Sequence, residues 1–438
     1  MLTHRGTMLF FVFLGGSILT VCGTSGHADA SANNDPRLYE IKAPMDIQSL
    51  ATQVPSDADV NFLKALKQSK RMKDARFVDI DPALIKATTG RLMVPLPNGD
   101  TVKFQKRNAY QQSDDVAYWY GDIVSDRKQR YPSPAEIEVD PASNIMLVRQ
   151  GQRLTGEIHV PGQHYRLESA GAGRHILITL DPQSNLGCDA VESHESHGKD
   201  VKTAASGLQP KARSTIRVMF ISTKEARELD GSPEVRVRGM LATAAQTFRN
   251  SGVDLDFEYA GYYALGLKEA DFDGDPGKVL YEITEEKTDP EKTIAALRES
   301  NRADIVIALV GYPFFEGKAY VGARKQNAFA LINMRHESGN LTHQLGHLLG
   351  AAKTHTWKGG PEPGEPSYRF GHEFTANGVK YRTIMGKYDC DYGSCPWEMD
   401  AFSDPDATFD SVPLGDDKYS NNVRLFNEVR DEVSKFYP

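Results

Sequence analysis

From Thr215 onward the apolar residues switch repeatedly between two periods, which restricts the second half of the chain to a sheet with helices packed on it. TIRVMFIST (215 to 223) reads as a buried strand. Ser232 and Pro233 then fit a cap and first helical turn, and the helical spacing runs to Phe248 before Asn250-Ser251-Gly252 stops it. Val253 to Tyr263 reads as a strand, Asp289 to Ser300 as a helix, ADIVIALV (303 to 310) as a strand and AFALINM (328 to 334) as another. Ser420 to Phe436 closes the chain as an amphipathic helix carrying Val423, Phe426, Val429, Val433 and Phe436. Strands alternating with helices imply a mixed or largely parallel sheet, an α/β (α+β) class.

The preceding residues follow another rule. Arg91 to Phe104 holds Pro97-Asn98-Gly99-Asp100 between extended runs, a hairpin signal. Short strands follow at 116 to 124, 144 to 150, 156 to 160, 164 to 169 and 175 to 180, most bounded by Gly or Pro. A mostly antiparallel β module is expected over 31–180, opening with a mobile start and helices up to about Gly90, where Ser56 and Asp59 resemble a cap before Val60, Leu63 and Leu66. Asp181 to Arg213 is poor in apolar residues and reads as an exposed linker open to proteolysis. Residues 214–438 then form the second domain.

The chain has 438 residues, of which 40% are hydrophobic and 25% charged, enough for two cores. Its net charge of -8 and lack of a long basic cluster argue against nucleic acid. Arg5, the apolar run from Met8 to Val21 and Ala28-Asp29-Ala30 match a signal peptide over 1–30, cut near Ala30. Export to a periplasmic or extracellular space is the expectation. No later run reaches the roughly 18 apolar residues of a membrane span.

The chemistry centres on NLTHQLGHLLGAAKTHTW (340 to 357). His343 and His347 are four apart among Leu341, Leu345 and Leu348, so one helix face offers two imidazoles while the other is buried. Gly350 is placed to end the helix with positive φ. Downstream comes YRTIMGKY (381 to 388), and then Cys390 and Cys395 in a Gly- and Pro-containing loop that makes them a natural disulfide pair.

This layout resembles the metzincin zinc peptidases, whose signature is H-E-x-x-H-x-x-G-x-x-H, and the tail CP...FSDP (395 to 405) with the last helix looks like their peptidyl-Asp metallopeptidase branch. The resemblance covers about 212 to 438. It implies a Zn²⁺ ion on His343 and His347, Met385 as a turn methionine beneath the ligands, Tyr388 as an oxyanion-steadying residue, and a peptide or protein substrate. It also makes the β module prodomain-like and places Cys188 where a propeptide thiolate could latch the metal.

Two letters depart from the signature. Gln344 stands where the general-base Glu belongs, and an amide has no basic lone pair to take a proton from water. That loss alone is worth a factor of roughly 10² to 10⁴. Lys353 stands where the third His belongs, and deprotonating it at neutral pH costs about 4 to 5 kcal/mol before any metal bond forms. His355 is the first substitute ligand and His372 the second. A replacement base would have to come from His336, Glu337 or Glu373. The expected function is a zinc-dependent metalloendopeptidase with strongly impaired turnover; the alternative is a pseudoprotease that binds a peptide without cutting it.

Overall fold

The computed structural model describes residues 35–43, 61, 72–170, 173–180, 189–192, 212–229, 233–285, 289–312, 315–334, 338–352, 366–386 and 396–438. The elements below all lie within Pro36–Pro438, which cluster as one unit.

Nine strands form the first sheet: β1 (Tyr39–Ile41), β2 (Met72–Ile80), β3 (Arg91–Pro95), β4 (Thr101–Gln111), β5 (Val116–Ile123), β6 (Asn144–Gln150), β7 (Arg153–Val160), β8 (Gln163–Ser169) and β9 (His175–Leu180). Their order is β1-β2-β9-β8-β7-β6-β5-β4-β3, antiparallel throughout. The two edges meet, because Leu38 N–H donates to Met93 O (2.8 Å) and Met93 N–H to Pro36 O (2.9 Å). Curling the sheet onto itself leaves few unpaired edge groups and encloses one core. Trp119, Phe104, Tyr165 and Tyr39 fill it. Gly121 makes room for the Trp119 ring, which a Cβ there would meet at 2.5 Å. The strand Met72–Ile80 corrects the helical reading of that stretch: its buried positions Ala75, Phe77 and Val78 face β9 neighbours, and the long-range ladder decides what local spacing left ambiguous.

The second sheet contains β10 (Asp189–Glu192), β11 (Ser214–Ser222), β12 (Leu255–Ala264), β13 (Ile305–Val310), β14 (Gly317–Val321) and β15 (Phe329–Asn333), in the order β10-β14-β15-β13-β11-β12. Only the β14–β15 pair is antiparallel. Helices α1 (Pro233–Asn250), α4 (Ser338–Leu348) and α5 (Asn422–Val433) cover one face, and α2 (Pro276–Glu285) and α3 (Asp289–Ser300) the other. Residues of β11 alternate between the two cores, Val218 and Phe220 toward one and Met219 and Ile221 toward the other. Burial on both faces is why this strand is apolar without alternation.

Two elements here were absent from the sequence reading, strand β14 and helix α2. The strand before the His helix, Phe329–Asn333, is a strand as read and lies inside the sheet, between β13 and β14. The intervening β14 returns antiparallel and takes the outer place, with β10 beyond it. Helix α2 was not anticipated, although Pro276 at its first turn and Val279, Leu280 and Ile283 at helical spacing are legible signals.

Candidate metal centre

Helix α4 buries Leu341, Leu345 and Leu348 in the core beneath the sheet, which turns the opposite face toward the segment after β17 (Val379–Arg382, paired with β16, Glu373–Ala376). Its end is a Schellman arrangement: Gly350 N–H donates to His347 O (2.8 Å) and Ala351 N–H to Gly346 O (2.9 Å), with Gly350 at φ 96°. The chain reverses there, as the sequence anticipates.

His343 and His347 come together, their ring centroids 4.6 Å apart and their planes at 84°. His343 Nδ1 lies 2.8 Å from Ile384 O, and His347 Nδ1 lies 2.8 Å from Ala351 O. A carbonyl oxygen only accepts, so each Nδ1 carries the proton and each Nε2 keeps the lone pair that a metal would take. The carbonyl of Ala351 is available because the Schellman turn folds it back under His347. Thus the same glycine that stops the helix also orients the second imidazole.

Met385 is fully buried below the helix. Gly346 lets it approach, since a Cβ there would sit 2.6 Å from Met385 Sδ. A glycine inside a helix costs about 1 kcal/mol against Ala, and a close approach of this kind is the return. On the other side, a Cβ at Gly317 of β14 would lie 2.6 Å from Gln344 Nε2. Gln344 is buried, and its Nε2 donates to Asn340 Oδ1 at 3.2 Å. Strand β14 is tied to the helix at its far end too, by Gly322 N–H to His347 O (2.9 Å) and Ala323 N–H to Leu348 O (2.8 Å).

His343, His347, Gln344, Gly350 and Met385 therefore form one constellation. His372 does not join it. Among the described residues no group of three or more His, Cys, Asp or Glu is placed to share a metal ion. The His372 ring stacks on Phe374 at 5.9 Å instead, while its backbone braces the turn through Thr383. Glu373 is exposed on β16, which leaves it without the buried placement of Gln344. Lys353, His355, Tyr388, Cys188, Cys390, Cys395, His336 and Glu337 lie outside the described residues, as do the signal segment and most of the linker. The carbonyls of Ile384 and Ala351 are orienting groups that sequence reasoning missed; backbone oxygens leave no residue-type signal, but Gly346 inside a helix marks the close approach that supplies one of them.

Burial holds the His372 pKa below the ordinary imidazole value, against a smaller opposing pull from Asp416. The unfolded chain then takes up this proton first as pH falls below about 6.5. Stability is expected to decline across that window and to be insensitive to this group above it. Urea titrations of His372→Gln against the parent between pH 5 and 8 check it: the variant should lose part of the acid-side slope.

No family profile matches the chain. Three curated relatives do, each called peptidyl-Asp metalloendopeptidase. Those of Stenotrophomonas maltophilia strains R551-3 and K279a are each 26% identical, over 77% and 74% of this chain and 81% and 78% of their own lengths. That of Xanthomonas campestris pv. campestris is 25% identical over 93% of this chain and 95% of its own. Together they support a metallopeptidase relationship. Metalloproteinase-II of Bacteroides fragilis is similar over 62% of this chain and 84% of its own at 13% identity, with a TM-score of 0.37 that is too low to support an argument. Among the described residues no helix is long and apolar enough to cross a membrane.

Proposed function

We propose that this protein is an exported, zinc-class metalloendopeptidase whose hydrolytic step is strongly impaired, acting on peptide bonds at aspartyl residues as the relatives' name suggests. The observation that carries the reading is the His343–His347 pair, in which each Nδ1–H is held by a backbone carbonyl and each Nε2 is left as the coordinating nitrogen. Two neutral imidazoles and an apolar floor suit zinc as part of a ligand set. A bound zinc would lower the pKa of a coordinated water and polarise a peptide carbonyl. The chain's own contribution is to fix both ligands and to hold the Gln344 amide in a set direction through Asn340. Gln344 can donate or accept a hydrogen bond with water but cannot remove its proton.

Metal content tests this directly. After loading with zinc and dialysis, elemental analysis is expected to find about one zinc per chain in the parent and a tenfold or greater drop in His343→Ala with His347→Ala. Equal zinc in the two proteins would sink the assignment.

A further inference from the structure

We infer that the nine-stranded sheet is a permanent non-covalent partner of the six-stranded body, one that stays bound when the connection between them is cut. The contact has three parts, and each belongs to a stable interface more than to a detachable cover.

The first part is a hook. Between β5 and β6, Glu136 reaches the hairpin made by β19 (Thr408–Phe409) and β20 (Val412–Pro413), which follow the short strand β18 (Trp397–Glu398). Its carboxylate accepts the backbone N–H groups of Asp410 (2.8 Å) and Ser411 (3.1 Å) and the hydroxyl of Thr408 (2.8 Å). Asp410 and Ser411 both have positive φ, 54° and 64°, without being glycine. The hairpin of one body thus keeps a strained turn whose N–H groups are satisfied by a carboxylate of the other. Backbone pairing reinforces it, with Ile137 N–H to Thr408 O (3.1 Å) and Thr408 N–H to Ala135 O (2.8 Å).

The second part is charge closed off from water. Arg127 bonds Glu136 (3.3 Å) and Asp410, and its guanidinium lies 3.8 Å over the Phe409 ring. Arg236 of α1 bonds Glu168 of β8 at 2.7 Å. All five of these side chains are at most 9% exposed. Arg127 also keeps Glu136, and Glu168 keeps Arg166, within the nine-stranded body, so the charges that the contact itself pairs are Asp410 and Arg236, and groups buried this fully are costly once a partner is withdrawn.

The third part is apolar. Tyr118, Tyr120, Met146 and Val148 of the outer sheet face pack on Val235 and Ala242 of α1. Gly239 lies close enough that an added Cβ would sit 2.9 Å from Val148 Cγ2. Separation would expose this patch and break the Arg127–Asp410 and Arg236–Glu168 pairs.

The inference stands whether or not His343 and His347 bind metal. Its test uses the full-length chain with a site-specific protease sequence replacing residues 182–187 and another replacing 203–208, so that cutting removes β10 along with the connection. After double cleavage at micromolar concentration in near-physiological salt, the two large fragments are expected to co-elute in a one-to-one complex by size exclusion and native mass spectrometry. The same protein carrying Glu136→Gln and Arg236→Ala is expected to dissociate at least about tenfold faster once cut, while the uncut variant retains a cooperative unfolding transition. Separation of the cut parent in native buffer would overturn the inference. So would equal dissociation of parent and variant, or separation that follows only from removal of β10. If the double variant fails to fold uncut, Glu136→Gln alone is read by the same comparison.

Discussion

Changing Gln344 to Glu together with Lys353 to His is expected to raise zinc-dependent peptide hydrolysis about 10²- to 10⁴-fold. That factor corresponds to about 3 to 5 kcal/mol of barrier. The exchange is mild in packing terms: Gln344 is buried on α4 between the two imidazoles in sequence, and glutamate fills the same volume, so packing against Gly317 is preserved. Asn340 holds the Glu316 carbonyl with Nδ2 and faces Gln344 with Oδ1, so an amide flip that offers N–H to the new carboxylate gives up that backbone bond, a cost set against the gain. The histidine supplies a lone pair where ammonium has none. Quenched fluorescent peptides containing aspartate give kcat/KM, with a chelator control to establish zinc dependence. Equal activity in parent and variant would show that base and ligand are misassigned; a variant that neither binds zinc nor cuts would remove the metal reading altogether.

What the sequence made legible follows from the range over which each signal acts. The His343–His347 spacing, the Gly350 stop and the strands 144–150 and 175–180 are local, set by residues within one turn or one strand of each other, and the structure places them as read. Where a distant partner decides, the reading failed. Met72–Ile80 is a strand because β9 pairs with it, and Gly317–Val321, which the reading passed over, is a strand because it folds back against Phe329–Asn333. The site divides in the same way. Side-chain donors were visible in the sequence, while the two carbonyls that fix their tautomers became visible only when the turn at 384 and the chain reversal at 351 were in place.

That dependence on the turn makes Gly371 the most sensitive position around the site, and Gly371→Ala is expected to cost about 3 kcal/mol of stability, the upper end for overpacking. A Cβ at Gly371 would collide with the carbonyl carbon and oxygen of Met385 and with the nitrogen of Gly386. These are backbone atoms, which cannot swing aside as a side chain would. The 383–386 turn is held in place by Thr383 N–H to His372 O (2.9 Å), by Ile384 N–H to Ala401 O (3.0 Å) and by Gly386 N–H to Thr383 O (2.7 Å). Relief of the collision must therefore move Ile384 and Met385 together, which carries the Ile384 carbonyl away from His343 Nδ1 and the thioether away from Gly346. Zinc affinity should drop about 10- to 100-fold as the first imidazole loses its orienting partner. Gly90→Ala is the matched control, since nothing lies within 4 Å of a Cβ built there. Chemical denaturation and zinc titration of the two variants separate the outcomes: a Gly371→Ala protein as stable and as zinc-competent as Gly90→Ala would mean that the turn does not support the ligands.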